Sequence, residues 1–409
     1  MTQKKIKVGL IKETKTPPDR RVVLSPAQVM KTKEQFPHVE IIVQPSEIRC
    51  YKDEEYERLG ISMQEDLSDC DILMGVKEVK IPTLIPGKKY LFFSHTHKKQ
   101  EYNRPLLQAL VKNKIQMIDH ECLTDDHGVR LVAFGRWAGI VGAYNGLISW
   151  GKRSGDYDLI RAKDCFDMQQ MIGQVEQAIL PPHFKILITG GGRVAGGALE
   201  TLEPLHLRKV SPDEFLNETF DEPVYCQIDA DKYVELKEGG WKSFPHFFEH
   251  PEQYKSKFKP YSKVADMWIA CHFWDQNSPV FLKPADYREK DFNIKVIADI
   301  SCDIAKPIPS TLRASTIAEP FYGYNPQTEQ EGNAFDEQNV TVMAVDNLPG
   351  ELPRDASEDF GNTLLERVFP YLFDTDNPDN DVVMRASICK DGKLTKNFSY
   401  LQAFLEGKE

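Results

Sequence analysis

The spacing Gly190-x-Gly192-x-x-Ala195 is the GxGxxA form of a fingerprint that binds dinucleotides. An apolar run at 186–188 precedes it and helix-favouring residues follow it, which predicts a strand, a tight turn and a helix start. The glycines would let a pyrophosphate approach the backbone, and N–H groups at the helix end would hold its phosphates. Because such turns also occur without a ligand, the chemistry depends on what the rest of the chain supplies.

Polar residues at three points in the first part of the chain could form the other half of a site. They are Arg20-Arg21, Lys77 and the segment 94–98 (Ser-His-Thr-His-Lys), and each follows a strand-like apolar run. Ligands of parallel α/β sheets bind beyond the carboxyl ends of strands, so these groups could converge on one cleft. Taken singly, Lys77 or Arg21 is more often a surface charge, so the prediction depends on the topology.

His95 and His97 form a His-x-His pair that could suggest a metal site. Residues that alternate along an extended segment point to opposite sides, so we expect at most one of them to face the cleft. A third and a fourth ligand are missing nearby, and the sequence therefore predicts no metal.

Strand-like runs alternate with helical segments at the spacing of a mainly parallel α/β layer. We predict two Rossmann-like domains with mainly parallel sheets, separated by a cleft. Residues 1–133 plus 355–409 would form the substrate or catalytic domain, and residues 134–354 the dinucleotide-binding domain. We expect a long buried helix at 132–152 that crosses between the domains, and a second strand of the dinucleotide-binding domain at 206–210. The region 211–262 receives no firm element, and the chain is expected to end in a polar tail.

Composition excludes several classes of protein. The 409 residues suffice for two or three domains, and 41% hydrophobic with 28% charged residues describes a globular protein. A formal net charge of −11 argues against nucleic acid as the main partner. Because no apolar run is long enough for a bilayer and no signal peptide is visible, we expect a cytoplasmic protein. The eight cysteines lack CxxC spacing, which indicates reduced thiols.

The chain resembles the alanine dehydrogenase, transhydrogenase and saccharopine dehydrogenase superfamily. Within it the sequence is most similar to the lysine-2-oxoglutarate reductase domain found in bifunctional aminoadipic semialdehyde synthases. The segments that carry the resemblance cover nearly the whole chain in order, and they are DRRVVLSP, ILMGVKE, YLFFSHTHKKQEYN, RLVAFGRWAGIVGAY, TGGGRVAGGA, EQYKSKFKPY, WDQNSP, DISCDI and VDNLPGELPRDASEDFG.

The resemblance implies roles for individual residues. Arg21 would bind a substrate carboxylate, and Lys77 with His95 would act as acid and base. Further polar positions of the saccharopine-type branch would serve the second carboxylate and the ammonium of lysine: Lys98, Glu121 and Arg130. The residues expected at the cofactor are Gly190, Gly192, Arg193, Val194 and Ala195 at the pyrophosphate, Cys271 near the nicotinamide ribose, and Asp303 and Asn347 facing the cleft. His97 would be structural or peripheral.

Cofactor choice depends on the end of the second strand. An NAD site usually has an acidic residue there, about 20 residues beyond the glycines. With 206–210 as that strand, the position holds Arg208 and Ser211, which would accept the 2′-phosphate of NADP(H). Asp229 is the rival if the true second strand lies later. The similar reductase domain prefers NADPH, so we favour NADP(H), with NAD(H) as the alternative.

The predicted activity is an NAD(P)-dependent oxidoreductase that forms saccharopine from L-lysine and 2-oxoglutarate by imine formation and hydride transfer, reversibly. An alanine dehydrogenase-like amino-acid dehydrogenase is the second hypothesis, and a non-catalytic nucleotide-binding relative is the third. The expected partners are small-molecule substrates only. The oligomeric state stays open between a monomer and a homo-oligomer, because family members differ.

Overall fold

Apolar strands alternate with helices along the chain, and in the computed structural model they build two units. The structure describes residues 5–408. The first unit comprises Met1–Phe134 and Pro353–Glu409, and the second comprises Gly135–Leu352. Each unit contains an eight-stranded sheet, and both sheets are mainly parallel. The predicted α/β class is therefore confirmed.

The elements are numbered along the chain. The strands are β1 Ile6–Leu10, β2 Val39–Val43, β3 Ser62–Met63, β4 Ile72–Met74, β5 Lys89–Phe92, β6 Gln116–Asp119, β7 Lys185–Thr189, β8 Arg208–Lys209, β9 Val224–Ile228, β10 Val234–Leu236, β11 Tyr254–Ser256, β12 Met267–Ala270, β13 Val296–Asp299, β14 Phe321–Asn325, β15 Gln330–Gly332, β16 Val340–Met343, β17 Ser387–Lys390 and β18 Lys393–Leu394. The α-helices are α1 Pro26–Gln35, α2 Asp53–Glu57, α3 Arg104–Lys112, α4 Gly135–Ser154, α5 Met168–Val175, α6 Arg193–Leu202, α7 Pro212–Asn217, α8 Ala230–Tyr233, α9 Phe244–Glu249, α10 Lys259–Ser262, α11 Pro353–Arg367, α12 Phe369–Leu372, α13 Asp381–Ala386 and α14 Gln402–Leu405.

The sheet of the first unit has the strand order β18-β17-β6-β5-β4-β1-β2-β3. The six strands from β6 to β3 run parallel, so their carboxyl ends lie along one edge. From the end of the chain, β17 pairs antiparallel with β6, and β18 pairs with β17. The expectation of a polar tail was therefore wrong, because buried residues such as Ile388 and Cys389 complete the sheet.

The sheet of the second unit has the order β15-β14-β16-β13-β12-β7-β9-β8. It is parallel from β16 to β8, and only β14 and β15 run antiparallel. The strand beside β7 is β9, whereas β8 is a two-residue edge strand. The prediction that residues 206–210 form the second strand was therefore wrong. Only Arg208 and Lys209 are in β8, and both are exposed, while β9 presents buried Val224, Cys226 and Ile228.

Short elements fill the region from 211 to 262, which had no sequence-based assignment. They include α7, α8, α9 and α10, together with the antiparallel hairpin β10–β11. Aromatic side chains of this region, among them Phe215, Tyr233 and Phe258, pack into the core of the second unit. The long segment between β7 and β12 is therefore a folded part of the second unit.

The long buried helix that the sequence predicts is α4, and most of its side chains are buried. Across the described residues, none of the helices has the length and apolar character needed to cross a membrane. All eight cysteines are free thiols.

Candidate active site

The glycine turn lies between β7 and α6, as the fingerprint predicts. Gly190 has a φ of +107°, and a β-carbon built on it would lie 2.7 Å from the carbonyl oxygen of Cys271. Only glycine adopts this conformation in this space without strain. The Gly190 N–H donates to Ile228 O at 2.8 Å, which fixes the turn against β9. Gly192 precedes α6, and space is open where its β-carbon would be. The first N–H groups of α6 therefore have room for a phosphate.

Close contact between α4 and α6 sets the direction of that helix. A β-carbon on Gly139 would lie 1.8 Å from Val194 O, and one on Gly197 would lie 2.0 Å from Arg136 O. The two backbones touch because both positions lack side chains. Ala195, the small third residue of the fingerprint, is fully buried behind the turn. Arg193, the first residue of α6, and Val194 follow the glycines directly.

Asp229 directly follows β9 and faces the glycine turn. A β-carbon on Gly191 would lie 2.3 Å from Asp229 Oδ2, so the missing side chain leaves the carboxylate beside the turn. Asp229 Oδ1 accepts the N–H of Ala230 at 2.8 Å, and burial raises the pKa of the Asp229 carboxyl. An acidic residue after the strand beside the fingerprint strand is the usual ligand of the adenosine ribose in an NAD site. Asp229, which the sequence offers as the alternative ribose ligand, therefore occupies this position in the structure.

Arg208 and Ser211 lie one strand further out. Arg208 is half-exposed and lies within 3.8 Å of Glu214 and within 3.7 Å of Glu222. The Ser211 hydroxyl caps α7 by accepting the N–H of Glu214 at 3.2 Å. We expected a 2′-phosphate here because residues 206–210 were predicted to be the second strand of the domain. In the structure the strand beside β7 is β9, so Arg208 and Ser211 do not lie at its end.

The remaining residues predicted at the cofactor follow three neighbouring strands. Cys271 comes after β12, Asp303 lies beyond β13, and Asn347 lies beyond β16. Because β7, β12, β13 and β16 are parallel, these residues lie at the same edge of the sheet as the glycine turn. Burial and the neighbouring Asp299 raise the pKa of Asp303 to about 6. Burial also raises the pKa of the Cys271 thiol, which therefore stays protonated.

Asp299 holds the loop that carries Asp303. Its buried Oδ1 accepts the Ser301 hydroxyl at 2.7 Å and the Cys302 N–H at 3.1 Å, and its Oδ2 accepts the Thr311 hydroxyl at 2.6 Å. Cys302 has a φ of +53°, which a non-glycine residue adopts only when its surroundings impose it. Asp299 therefore fixes the direction of this loop.

In the first unit, Arg21 forms a buried ion pair with Asp19. Arg21 Nε donates to Asp19 Oδ1 at 3.0 Å and Nη2 donates to Oδ2 at 2.6 Å. Both residues are 2% exposed, and the guanidinium lies 4.3 Å from the ring centre of Phe134. Burial would raise the pKa of Asp19, but Arg21 holds it well below its usual range. The pair fixes the orientation of Arg21.

Lys77 lies just beyond β4 and close to this pair. Burial and the positive charge of Arg21 lower the pKa of Lys77 to about 8, although Asp19 acts in the opposite direction. The main chain of Lys77 is fixed by Glu13, whose Oε2 accepts the Lys77 N–H at 2.9 Å. An amine in this setting exchanges protons near neutral pH.

His95 lies beyond β5 and is oriented by Glu78. Its Nδ1 is 2.6 Å from Glu78 Oε1, and Lys15 Nζ is 3.1 Å from Glu78 Oε2. Burial would raise the pKa of Glu78, but the hydrogen bond with His95 and the charge of Lys15 lower it to about 2. A carboxylate accepts the proton on Nδ1, so the neutral ring keeps Nε2 as its acceptor.

The segment with the two histidines is not extended, so the prediction that they alternate along a strand was wrong. Thr96–Lys98 forms a 3₁₀ turn, and His95 has a φ of +55°. His95 consequently contacts Glu78, whereas His97 lies 3.7 Å from Glu121 and 3.9 Å from Asp119.

Glu121 lies beyond β6 and contacts two other residues predicted to bind substrate, Lys98 and Arg130. Lys98 Nζ lies 2.9 Å from Glu121 Oε2, and Arg130 Nη1 lies 3.3 Å from Glu121 Oε1. Burial would raise the pKa of Glu121, but these cations lower it. The strands β4, β5 and β6 are neighbours, so Lys77, His95 and Glu121 follow three adjacent strand ends.

His97, Asp119 and Cys122 are metal-ligand types with atoms within 4.8 Å of one another. Asp119 Oδ2 already accepts the Ser94 hydroxyl at 2.5 Å, and burial raises the pKa of the Cys122 thiol. An ion bound here would have to displace the thiol proton and share Asp119 with Ser94. The absence of a metal stays a prediction.

Four acidic residues of this region had no sequence-based role: Glu13, Asp19, Glu78 and Asp119. Two of them adjoin predicted cations in the sequence, Asp19 before Arg21 and Glu78 after Lys77. An acid beside a functional cation was the available signal. Glu13 carried no such signal, because it lies far from Lys77 along the chain.

Comparison with known proteins shows what the chain is similar to. Residues 9–141 match the family described as "Alanine dehydrogenase/PNT, N-terminal domain". Alpha-aminoadipic semialdehyde synthase of Arabidopsis thaliana is 31% identical over 96% of this chain, which spans only 41% of that protein. Saccharopine dehydrogenase [NAD(+), L-lysine-forming] of Yarrowia lipolytica is 25% identical, covering 88% of this chain and 90% of that protein. The solved structure of an L-alanine dehydrogenase has a TM-score of 0.67 at 15% identity, covering 99% of this chain and 100% of its own, which shows the same fold.

Proposed function

We propose that the chain, whose residues 9–141 match the alanine dehydrogenase/PNT N-terminal domain family, is an NAD(H)-dependent oxidoreductase of the saccharopine dehydrogenase type. The proposed reaction joins L-lysine to 2-oxoglutarate, forms saccharopine and is reversible. The similarity to aminoadipic semialdehyde synthase and to a lysine-forming saccharopine dehydrogenase supports this substrate pair.

The observation that carries the proposal is the setting of Lys77. Its amine has a pKa lowered to about 8 by burial and by Arg21, so it can both give and take a proton near neutrality. His95 supplies the second group, because Glu78 holds Nδ1 and leaves Nε2 as the acceptor of the neutral ring. The formation and reduction of an imine require two such groups.

The neutral ε-amine of lysine attacks the ketone carbon of 2-oxoglutarate, and the oxygen of the resulting carbinolamine leaves as water to give the imine. Lys77 and His95 take the proton from the attacking nitrogen and give one to the departing oxygen. When bound, the reduced nicotinamide supplies a hydride to the imine carbon. Lysine, 2-oxoglutarate, NADH and one proton thus give saccharopine, NAD⁺ and water.

The cations at the strand ends of the first unit are the proposed ligands of the two carboxylates of 2-oxoglutarate. They are Arg21, which Asp19 orients, and the pair Lys98 and Arg130. A guanidinium suits a carboxylate because its N–H groups form a planar fork. Glu121, which already contacts two cationic side chains, is the proposed partner of the lysine ammonium.

The residues of the second unit fit an NAD(H) molecule. Gly190 and Gly192 leave space at the start of α6 for the pyrophosphate, and Asp229 faces that turn where ribose hydroxyls would lie. A carboxylate here would repel a 2′-phosphate. The position of Asp229 is why we propose NAD(H) and not NADP(H), which the sequence favoured because of Arg208 and Ser211 and because the similar reductase domain prefers NADPH.

The test is an assay of lysine plus 2-oxoglutarate with NADH and, separately, with NADPH, in which cofactor oxidation and the saccharopine formed are both measured. We expect turnover with NADH that requires lysine. A matched reaction replaces lysine and 2-oxoglutarate with ammonia and pyruvate. Turnover only in the ammonia reaction would refute the proposed substrates in favour of a smaller amino-acid dehydrogenase.

A further inference from the structure

The geometry points to Glu13 as the residue that positions Lys77 for the proposed reaction, an inference that rests on the proposed function. Glu13 lies just beyond β1, next to the strand that leads to Lys77. Its two carboxylate oxygens accept two consecutive main-chain N–H groups, Val76 N–H at 2.6 Å and Lys77 N–H at 2.9 Å. One side chain thereby holds the backbone of the proposed acid-base residue at two points.

The end of β4 needs this support because its ladder stops before Lys77. On the β1 side the last main-chain bond joins Ile11 N–H to Met74 O at 2.9 Å, and on the β5 side Gly75 N–H donates to Leu91 O at 3.0 Å. Val76 O still accepts from Phe93 at 3.0 Å, but the N–H of Val76 is directed to Glu13. Glu13 thus takes the place of a neighbouring strand.

Space for this carboxylate is kept by Gly75. A β-carbon built there would lie 3.3 Å from Glu13 Oε1 and 2.8 Å from the Ile11 side chain. A cavity of about 20 Å³, which is room for one water, is lined by Glu13 together with Asp19 and Arg21. Glu13 therefore belongs to the same cluster as the proposed substrate arginine.

The two N–H groups need two acceptor oxygens, which a carboxylate has and the amide of glutamine lacks. Burial raises the pKa of Glu13 to about 7, and the charge of Asp19 acts in the same direction, so keeping the carboxylate ionised here is costly. Its bonds with Val76 and Lys77 and the charge of Arg21 act against that rise. These bonds hold the backbone of Lys77 at the position where its amine has a lowered pKa.

Lys77 has its lowered pKa because of where its amine lies. The charged groups that face it are Arg21, Asp19, Lys15 and Glu78, and burial adds to the effect of the two cations. If the backbone at Lys77 relaxes, the amine gains water and moves away from Arg21. Its pKa should then rise toward the value of about 10.4 that a solvated lysine has.

The experiment measures the pH dependence of Lys77 acetylation by acetic anhydride, without substrate, with the modified peptide quantified by mass spectrometry. In the Glu13→Gln variant we expect the labelling midpoint to rise by about one pH unit or more above that of the natural chain. We also expect kcat to fall about tenfold or more, with the KM for 2-oxoglutarate changed much less. Glu13→Asp moves the carboxylate back by one methylene and should shift the midpoint in the same direction, which keeps the test usable if Glu13→Gln does not fold.

The matched control is Asp266→Asn in the second unit. Asp266 is also a partly buried acid that accepts a main-chain N–H, from Lys185 at 2.8 Å, and it should leave the Lys77 midpoint unchanged. A midpoint in both Glu13 variants within about 0.3 pH units of the natural chain would overturn the inference, as would an equal shift in the control. Because labelling needs no turnover, this result is separate from the proposed function, whose failure would show as no lysine-dependent turnover in the natural chain.

Discussion

Replacing Asp229 with serine is expected to reverse the preference between NADH and NADPH. The carboxylate lies against the glycine turn, 2.3 Å from where a β-carbon of Gly191 would be, and so faces the expected position of the adenosine ribose. Serine can still cap α8, which begins at Ala230, so the substitution removes the charge with little effect on the local fold. The change therefore tests cofactor recognition and not folding.

The magnitude follows from two contributions. Hydrogen bonds from ribose hydroxyls to a carboxylate are worth about 1.5–3 kcal/mol, so their loss should weaken NADH binding roughly 10- to 150-fold. Two unit charges 4 Å apart repel by about 1 kcal/mol in water and about 4 kcal/mol at an effective dielectric constant of 20. Because Asp229 is partly exposed, we take the lower part of that range, about 1–2 kcal/mol, for a 2′-phosphate. Together these contributions amount to about 2.5–5 kcal/mol, so the ratio of the two dissociation constants should change by about 70- to 5,000-fold.

The assay is direct titration of each reduced cofactor, followed by cofactor fluorescence, with the natural chain, Asp229→Ser and Arg208→Ala. We expect the natural chain to bind NADH more tightly, Asp229→Ser to bind NADPH more tightly, and Arg208→Ala to behave like the natural chain. The reasoning is refuted if the natural chain prefers NADPH and Arg208→Ala abolishes that preference.

Three further predictions concern catalysis and stability. Lys77→Met should lower kcat about 10²- to 10⁴-fold and remove a pH dependence of the rate near 8, with an unchanged circular dichroism spectrum as control. Gly190→Ala should lower the free energy of unfolding by about 2 kcal/mol or more, because φ is +107° and the new methyl group meets a carbonyl oxygen, whereas Gly196→Ala, which has open space, should be neutral or slightly stabilising in the same denaturant titration. Burial lowers the pKa of His272 to about 3, so the folded state stays neutral where the unfolded state takes up a proton; stability should fall by about 1.4 kcal/mol for each pH unit from about 6.5 down toward 3. His272→Phe should remove this part of the acid sensitivity, and equal pH slopes for both proteins would contradict it.

The sequence predicts the parts of the fold that local pattern determines. The fingerprint identifies β7, the turn at Gly190 and the start of α6, because a buried strand, glycines and a helix start follow one another directly. The apolar runs before Lys77 and His95 likewise predict that each of these residues follows a strand. These features depend on neighbours within a few residues along the chain.

The order of strands in the sheet depends on contacts that the local pattern does not contain. Residues 208–209 have the expected distance from the glycines, yet the strand that pairs with β7 begins at Val224, after α7 intervenes. The left-handed backbone conformation of His95 could not be predicted from the sequence either, because no glycine stands at this turn. The clamp by Glu13 depends on the pairing of β1 with β4, which joins residues more than 60 positions apart.

The first unit is interrupted in the chain, and this has a consequence for how the protein is made. Val22 N–H donates to Ser357 Oγ at 2.9 Å across 335 residues, and β17 joins β6 from the far end of the chain. A ribosome therefore releases the residues that close this sheet only after the whole continuous unit Gly135–Leu352 has been made. That unit can fold as it emerges. The edge of β6 and the apolar surface around Phe93 stay exposed until β17 and α11, which cover them, have been made. Exposed strand edges of this kind bind chaperones or aggregate, so the first unit is most vulnerable in the interval before residues 387–390 appear.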